Sequence, residues 1–167
     1  MPLTGMRVLV TGAGGFLGSH LTESLIQKGA SVRAFLRYTS QRQVGNLAFL
    51  PEEILKELDL YFGDIRDADA VLNAGRNCAA ILHLAANIAI PYSYAHPGDT
   101  VASNVIGTFN VLTAAKALNT RRVLVVSSSE VYGTARTERI SEQHPLQAQS
   151  PYAASKIGAE KLAESFH

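Results

Sequence analysis

Short apolar runs alternate with longer amphipathic stretches along most of this chain. The first run, about Arg7 to Thr11, is too brief for a helix and reads as a buried strand. It feeds a glycine-rich turn and then an amphipathic stretch with Phe16, Leu17, Leu21, Leu25 and Ile26 on one side. That helix is expected to stop at Gly29, a good C-terminal cap. Ser31 to Leu36 reads as the second strand, followed by a polar stretch from Arg37 to Asn46. Pro51 to Leu58 predicts a short helix with Glu52 and Glu53 in its first turn, where acidic groups are favoured. Leu58 to Phe62 is the third strand and Asp67 to Asn77 the next helix. Ala79 to Ala85 is nearly all apolar, as a parallel strand covered on both faces should be. A loop with Pro91, Pro97 and Gly98 leads to a long helix from about Thr100 to Leu118. Arg122 to Ser127 is the fifth strand. After a polar segment from Gly133 to Gln149, a last helix starts at Ser150-Pro151, serine as N-cap and proline in the first turn.

Strand and helix therefore alternate, which predicts an α/β fold: a doubly wound parallel sheet with helices on both faces. In such a sheet ligands bind outside the C-terminal strand ends, near the point where strand order reverses. The polar candidates below all follow a strand or open a helix, so they converge on one site.

Composition narrows the class. The 167 residues carry a formal charge of +1, which leaves no electrostatic footprint for nucleic acid or an acidic membrane surface. No apolar run approaches the roughly 20 residues that span a bilayer. With one cysteine, Cys78, no internal disulfide can form. That fits a reducing compartment. A soluble, cytoplasmic protein without a metal centre is the expectation.

Gly12, Gly15 and Gly18 are spaced G-x-x-G-x-x-G between a strand and a helix. Such glycines permit a tight turn, a close approach of backbone to pyrophosphate, and close helix–strand packing. The helix start adds free N–H groups that favour an anion. This is the context that gives a dinucleotide-binding glycine pattern its meaning. About 20 residues on, the Rossmann fingerprint expects an acidic residue for the adenosine ribose. The chain has Arg37 there instead, either to accept a 2′-phosphate, as in NADP, or to stack on adenine. Asp64, after the third strand, is placed either to hold the adenine amino group or to cap the next helix. Tyr152 and Lys156 are four residues apart, on one helical face. An ammonium near a phenol favours the phenolate, which can take a proton from an alcohol while a nicotinamide takes its hydride.

With these motifs the chain resembles an extended short-chain dehydrogenase/reductase of the NAD-dependent epimerase/dehydratase group. The matching segments, in order, are Thr11 to Gly18 (with Gly14, Phe16 and Leu17), Gly63-Asp64-Ile65, His83-Leu84-Ala85-Ala86, Asn104 to Thr108 and Tyr152 to Lys156. The resemblance implies that these segments bind NAD(P), with Ala85 and Ala86 on the nicotinamide side. Ser127-Ser128-Ser129-Glu130-Val131-Tyr132-Gly133 is similar to sugar-nucleotide 4,6-dehydratases. That similarity implies Ser128 for the reacting hydroxyl, Ser129 at the acid position and Glu130 as the base; alternatively Glu130 serves a turn. Ile90 to Pro97, Phe35 to Tyr38 and Pro145 to Pro151 resemble the dehydratases of nonulosonate synthesis. These convert UDP- or GDP-N-acetylglucosamine on the way to legionaminic-acid-like sugars. Tyr92 and Tyr94 have the alternative reading of a packed loop.

Family members have a further substrate-binding region, so residues 1–167 are expected to be the NAD(P)-binding Rossmann domain alone. A homodimer is expected. UDP-glucuronate decarboxylase and nucleotide-sugar 4-epimerase are the alternative activities, and a non-catalytic NAD(P)-binding module is the alternative of another class.

Overall fold

The five apolar runs become strands: β1 (Arg7–Thr11), β2 (Ser31–Arg37), β3 (Asp59–Gly63), β4 (Ala80–His83) and β5 (Arg122–Val125). The computed structural model describes residues 3–166. The strands pair in parallel in the order β3-β2-β1-β4-β5. The chain winds outward from β1 through β2 to β3, then returns to the other side of β1 with β4 and β5. That reversal opens a crevice above the C-terminal ends of β1 and β4, where Thr11 faces Phe35 on one side and His83 on the other.

Among the described residues the helices are α1 (Phe16–Gln27), α2 (Glu52–Lys56), α3 (Ala68–Gly75), α4 (Ile90–Ala95), α5 (Pro97–Val101), α6 (Gly107–Ala117) and α7 (Pro151–Ser165), with α4 and α5 packed against α7. Strand side chains alternate between the two faces even within apolar runs. Val8, Val10, Val32 and Ala34 meet Leu25 and Ile26 of α1, while Leu9, Phe35 and Ile81 meet Val71 of α3 and Val111 of α6.

Several boundaries differ from the sequence reading, each for a local reason. β4 ends at His83 rather than Ala85, because the Ala85 amide leaves the ladder and donates to the Thr11 hydroxyl (3.2 Å). β5 ends at Val125, since the Val126 carbonyl accepts from Lys156 Nζ (2.6 Å). The expected loop with Pro91 and Pro97 forms α4 and α5, because proline is tolerated in a helix's first turn, where its missing N–H costs nothing. The long helix is interrupted by a π-helical turn at Ala102–Ile106 before α6. The polar stretch after β2 runs into a 3₁₀ turn, Gly45–Phe49, that buries Leu47 completely. Gly29 does close α1, with φ +82° and the Gly29 and Ala30 amides bonded back to Ile26 and Leu25. Among the described residues no helix is long and apolar enough to cross a membrane.

One polar contact threads the core. His83 is 3 % exposed, with Nδ1 at 2.7 Å from Thr11 Oγ1 and Nε2 at 3.0 Å from Thr108 Oγ1. Burial, and secondarily the charge of Lys156, push its pKa down to about 3. The unfolded chain therefore binds a proton at this histidine below about 6.5, while the folded chain does not until about pH 3. Between those values the unfolded state holds more protons, so stability falls as pH falls. Urea unfolding should show this as a contribution approaching about 1.4 kcal/mol per pH unit in the lower part of that window. In His83→Gln that part of the slope should vanish, whatever the absolute stability of the variant.

Candidate functional site

Above the crevice lies a cavity of about 1220 Å³, and most of the sequence-predicted residues line it. Its floor is the glycine turn. Gly12 has φ +72°, and a Cβ there would lie 2.7 Å from the Ala85 nitrogen and 2.9 Å from its Cα, so the residue must be glycine. A Cβ on Gly18 would run into the carbonyl oxygen of Gly12, which explains how closely α1 approaches the turn. The N-cap of α1 is Gly15, with no side-chain cap and no acidic residue in the first turn. The leading N–H groups and the positive end of the helix are thus open to an anion. Gly14 and Gly15 line the same space.

Phe16 and Leu17 part from Leu25 and Ile26, with which they share one side in the sequence reading, and stand among the cavity residues as the family resemblance implied. They are 69 % and 63 % exposed and line the cavity, while Gly18, Ser19, Thr22, Leu25 and Ile26 form the buried face. Small residues at the start of the helix bring its backbone onto the sheet and turn the two large side chains outward.

Arg37, exposed at the end of β2, and Asp64-Ile65, after β3, form a second wall. Asp64 does not cap α3; Asp67 does, accepting from the amides of Asp69 and Ala70. The Asp64 carboxylate is instead clasped by Arg66, whose Nη2 donates to Oδ2 at 2.6 Å and whose Nε and backbone N–H each donate to Oδ1 at 2.9 Å. These bonds hold the Asp64 pKa below the ordinary value, against the opposing effect of burial. Arg66 also pairs with Asp99 (2.8 Å), which accepts from Asn87 Nδ2 and Tyr92 OH (3.2 Å each). Tyr92 therefore belongs to the cavity wall. Tyr94 donates to the Gln149 carbonyl at 2.7 Å, tying α4 to the segment before α7.

The third wall holds Leu84, Ala85 and Ala86, with Tyr152 and Lys156 from α7 and Glu130 from the 3₁₀ turn Ser129–Tyr132. Ser150 caps α7 as expected, accepting from the Ala153 amide at 3.0 Å. Tyr152 and Lys156 are each 7 % exposed. Burial pushes the Lys156 pKa down, partly offset by Glu160.

Three sequence-predicted residues do not line the cavity. Asn104 lies beneath it in the π-helical turn, 1 % exposed, accepting from Asn87 N–H (2.7 Å) and donating to the Asn87 carbonyl (3.0 Å) and Ser155 Oγ (2.8 Å). Ser128 caps the 3₁₀ turn, its hydroxyl accepting from the Glu130 amide at 3.2 Å. Ser129 is exposed at the start of that turn. Of the Ser127-Ser128-Ser129 run it is Ser127 that lines the cavity, its Oγ buried without a hydrogen-bond partner. Sequence reasoning also missed Arg66, Asn87, Thr39, Gln43 and Gly45 as lining residues. The last three arrive because the Asn46 amide donates to the Gly14 carbonyl at 2.8 Å, folding the loop after β2 over the glycine turn. The Gly45-Asn46 pair is a turn signal that could have marked this loop.

The family model described as GDP-mannose 4,6 dehydratase matches residues 9–167. The chain is 37 % identical over 167 residues to a dTDP-glucose 4,6-dehydratase of Actinoplanes sp., covering 97 % of this chain and 52 % of that protein. It is 38 % identical over 157 residues to a UDP-glucose 4-epimerase of Mycolicibacterium smegmatis, covering 93 % and 49 %. A crystal structure of a dTDP-glucose 4,6-dehydratase from Streptomyces venezuelae, with NAD and TYD bound, superposes with a TM-score of 0.88 at 36 % identity, over 97 % of this chain and 52 % of that one. A UDP-N-acetylglucosamine 4-epimerase from Methanobrevibacter ruminantium also reaches 0.88, at 30 % identity, over 98 % and 51 %. The chain spans about half the length of these relatives. The ordered motifs, the sheet topology and the match over nearly the whole chain give one conclusion: the protein belongs to the NAD-dependent epimerase/dehydratase family of extended short-chain dehydrogenases/reductases, within reach of the GDP-mannose 4,6 dehydratase model.

Proposed function

We propose that this chain is the cofactor-binding part of a nucleotide-sugar 4,6-dehydratase that turns UDP- or GDP-N-acetylglucosamine into a 4-keto-6-deoxy sugar. The observation that carries this reading is the joining of the glycine turn, Glu130, Tyr152 and Lys156 around one cavity. The residues present fit a dinucleotide: Gly12, Gly14, Gly15 and Gly18 line the cavity without side chains, Gly12 and Gly18 have no room for one, and the α1 N-terminus is uncapped. The turn and α1 would hold the pyrophosphate, Asp64 and Ile65 the adenine, and Leu84, Ala85, Ala86, Tyr152 and Lys156 the nicotinamide end. Bound there, a nicotinamide would supply a reversible hydride acceptor, taking the carbon-4 hydride and giving it back at carbon 6 once water has left, so that the 4-keto-6-deoxy product forms with no net oxidation.

The chain's own groups handle the protons. Tyr152 takes the proton of the sugar's carbon-4 hydroxyl, with the Lys156 ammonium steadying the developing phenolate. The new ketone acidifies the neighbouring carbon, and Glu130 removes the carbon-5 proton so that water can leave from carbon 6. Ser128 and Ser129, which the resemblance put at the reacting hydroxyl and the acid position, stand beside Glu130 on its turn rather than in the cavity wall, so no proton step is given to them. A 4-epimerase is the second reading, favoured by the epimerases among the relatives. It needs no carboxylate at position 130, so Glu130 in the cavity wall supports the dehydratase. A homodimer is part of the proposal, supported by the exposed Val101, Ile106, Phe109 and Phe166 along α5, the π-helical turn, α6 and the end of α7. A cytoplasmic location is proposed on the same footing as the nucleotide-sugar substrate.

Cofactor choice rests on Arg37. It stands where an acidic residue would contact a ribose hydroxyl, and its charge favours a 2′-phosphate. The matched dehydratase structure contains NAD, so the two cofactors must be compared directly. Arg37→Ala should weaken NADP by roughly ten- to hundredfold, the range for a charge-assisted hydrogen bond. NAD should change little, as read by calorimetric titration of both. Equal small losses would remove the preference for NADP.

The division of labour at the site gives the sharper test, in a chain of the relatives' full length carrying this region. Tyr152→Phe should prevent oxidation, so mixing with UDP-N-acetylglucosamine produces no absorbance of reduced nicotinamide. Glu130→Gln should permit oxidation but slow elimination by about 10²–10⁴-fold, the usual contribution of a general base. Reduced nicotinamide and a 4-keto sugar should then accumulate on the protein. Dehydrated product released at the unmodified rate would make Glu130 structural. A carbon-4 epimer as the unmodified protein's product would favour the second reading.

A further inference from the structure

A continuous chain of hydrogen bonds runs beneath the cavity, from its wall at Ala85 to the helix that carries Tyr152 and Lys156. The Ala85 amide donates to Thr11 Oγ1 (3.2 Å), which lies 2.7 Å from His83 Nδ1. His83 Nε2 lies 3.0 Å from Thr108 Oγ1 on α6. The Thr108 hydroxyl donates to the Asn104 carbonyl at 2.6 Å. Asn104 Nδ2 donates to Ser155 Oγ, and Ser155 donates to the Tyr152 carbonyl, also at 2.6 Å.

Proton bookkeeping fixes the direction of every link. A carbonyl can only accept, so the Thr108 hydrogen is committed to Asn104. Toward the imidazole Thr108 must therefore accept, which requires a hydrogen on Nε2. In a neutral ring Nδ1 is then a lone pair, and the Thr11 hydroxyl donates to it while accepting from Ala85. Every hydroxyl in the line then both donates and accepts, and neither ring nitrogen is left over. Thr11 is 0 %, Thr108 2 %, Asn104 1 % and Ser155 2 % exposed. The imidazole is packed between the two threonine hydroxyls, and the Lys156 ammonium on α7 opposes a second positive charge there.

We propose that His83, neutral and protonated on Nε2, is a positioning residue that holds the cavity wall at Ala85 in register with the helix bearing Tyr152 and Lys156. A histidine serving only to fill the core would need its shape, not two directed hydrogen bonds of opposite sense. The ring touches neither the cavity nor a reacting atom. It acts through Thr11 on the glycine turn and through Thr108 and Asn104 on α7. The inference rests on the proposed cofactor reading of this cavity.

The test uses this chain and NAD. First, ¹⁵N–¹H spectra of the unmodified protein should show His83 as the Nε2–H form with no titration from about pH 5 to pH 9, the range over which an ordinary histidine changes charge. An Nδ1–H form, or a titration in that range, overturns the proposal without any ligand. Second, calorimetric NAD affinity is compared for Thr108→Val and Thr108→Ser. Thr108 does not line the cavity, so a loss of affinity must travel through the chain. Thr108→Val should weaken NAD about fivefold, the scale of one neutral hydrogen bond, and Thr108→Ser should restore it. An unchanged affinity in folded Thr108→Val, or no rescue by serine, overturns the positioning role. Absence of NAD and NADP binding by the unmodified chain would instead sink the cofactor reading itself.

Discussion

The contact between the glycine turn and the end of β4 governs the geometry of everything above the sheet. Gly12 sits against the Ala85 backbone at a distance that admits no side chain. That approach exists because β1 is the central strand and β4 its neighbour at the reversal of strand order. From it follow the direction in which α1 leaves the sheet, the open N-terminus of that helix, and the position of Leu84 to Ala86 as the opposite wall. A residue larger than glycine at position 12 would separate these walls and widen the crevice before affecting any reactive group.

Most of the fold was legible in the sequence, because strands buried on both faces announce themselves as apolar runs and the turn glycines as punctuation. The misreadings came from places where side chains replace backbone partners. The ends of β4 and β5 are set by Thr11 and Lys156, which belong to distant parts of the chain and leave no local trace. Pro91 and Pro97 looked like loop markers but sit in first helical turns, a placement that only the three-dimensional path reveals. Phe16 and Leu17 share a helical side with Leu25 and Ile26 in sequence, yet only the latter pair is buried, beside Gly18, Ser19 and Thr22.

The candidate site was legible as a set of motifs and less so as a surface. The glycines, Arg37, Asp64, Ala85, Ala86, Glu130, Tyr152 and Lys156 share one cavity, as their positions after strands and at helix starts implied. What the sequence did not reveal was the clasp of Asp64 by Arg66 or its extension to Asp99, Asn87 and Tyr92. Those links depend on side-chain reach across four elements. Nor could it distinguish a serine that caps a turn from one whose hydroxyl is buried without a partner, as Ser128 and Ser127 are.

The buried line of hydroxyls, imidazole and amide also restricts how such a chain can drift in sequence. Losing one member strands its neighbour as an unpaired polar group in the interior, which costs about 1–3 kcal/mol, whereas replacing both partners by apolar groups of similar shape costs little. Thr11, His83 and Thr108 lie on three different elements and far apart along the chain. Substitution at these sites is therefore expected to occur in concert, so that the three positions should be inherited together or exchanged together, and a lone replacement should be a short-lived intermediate between the two.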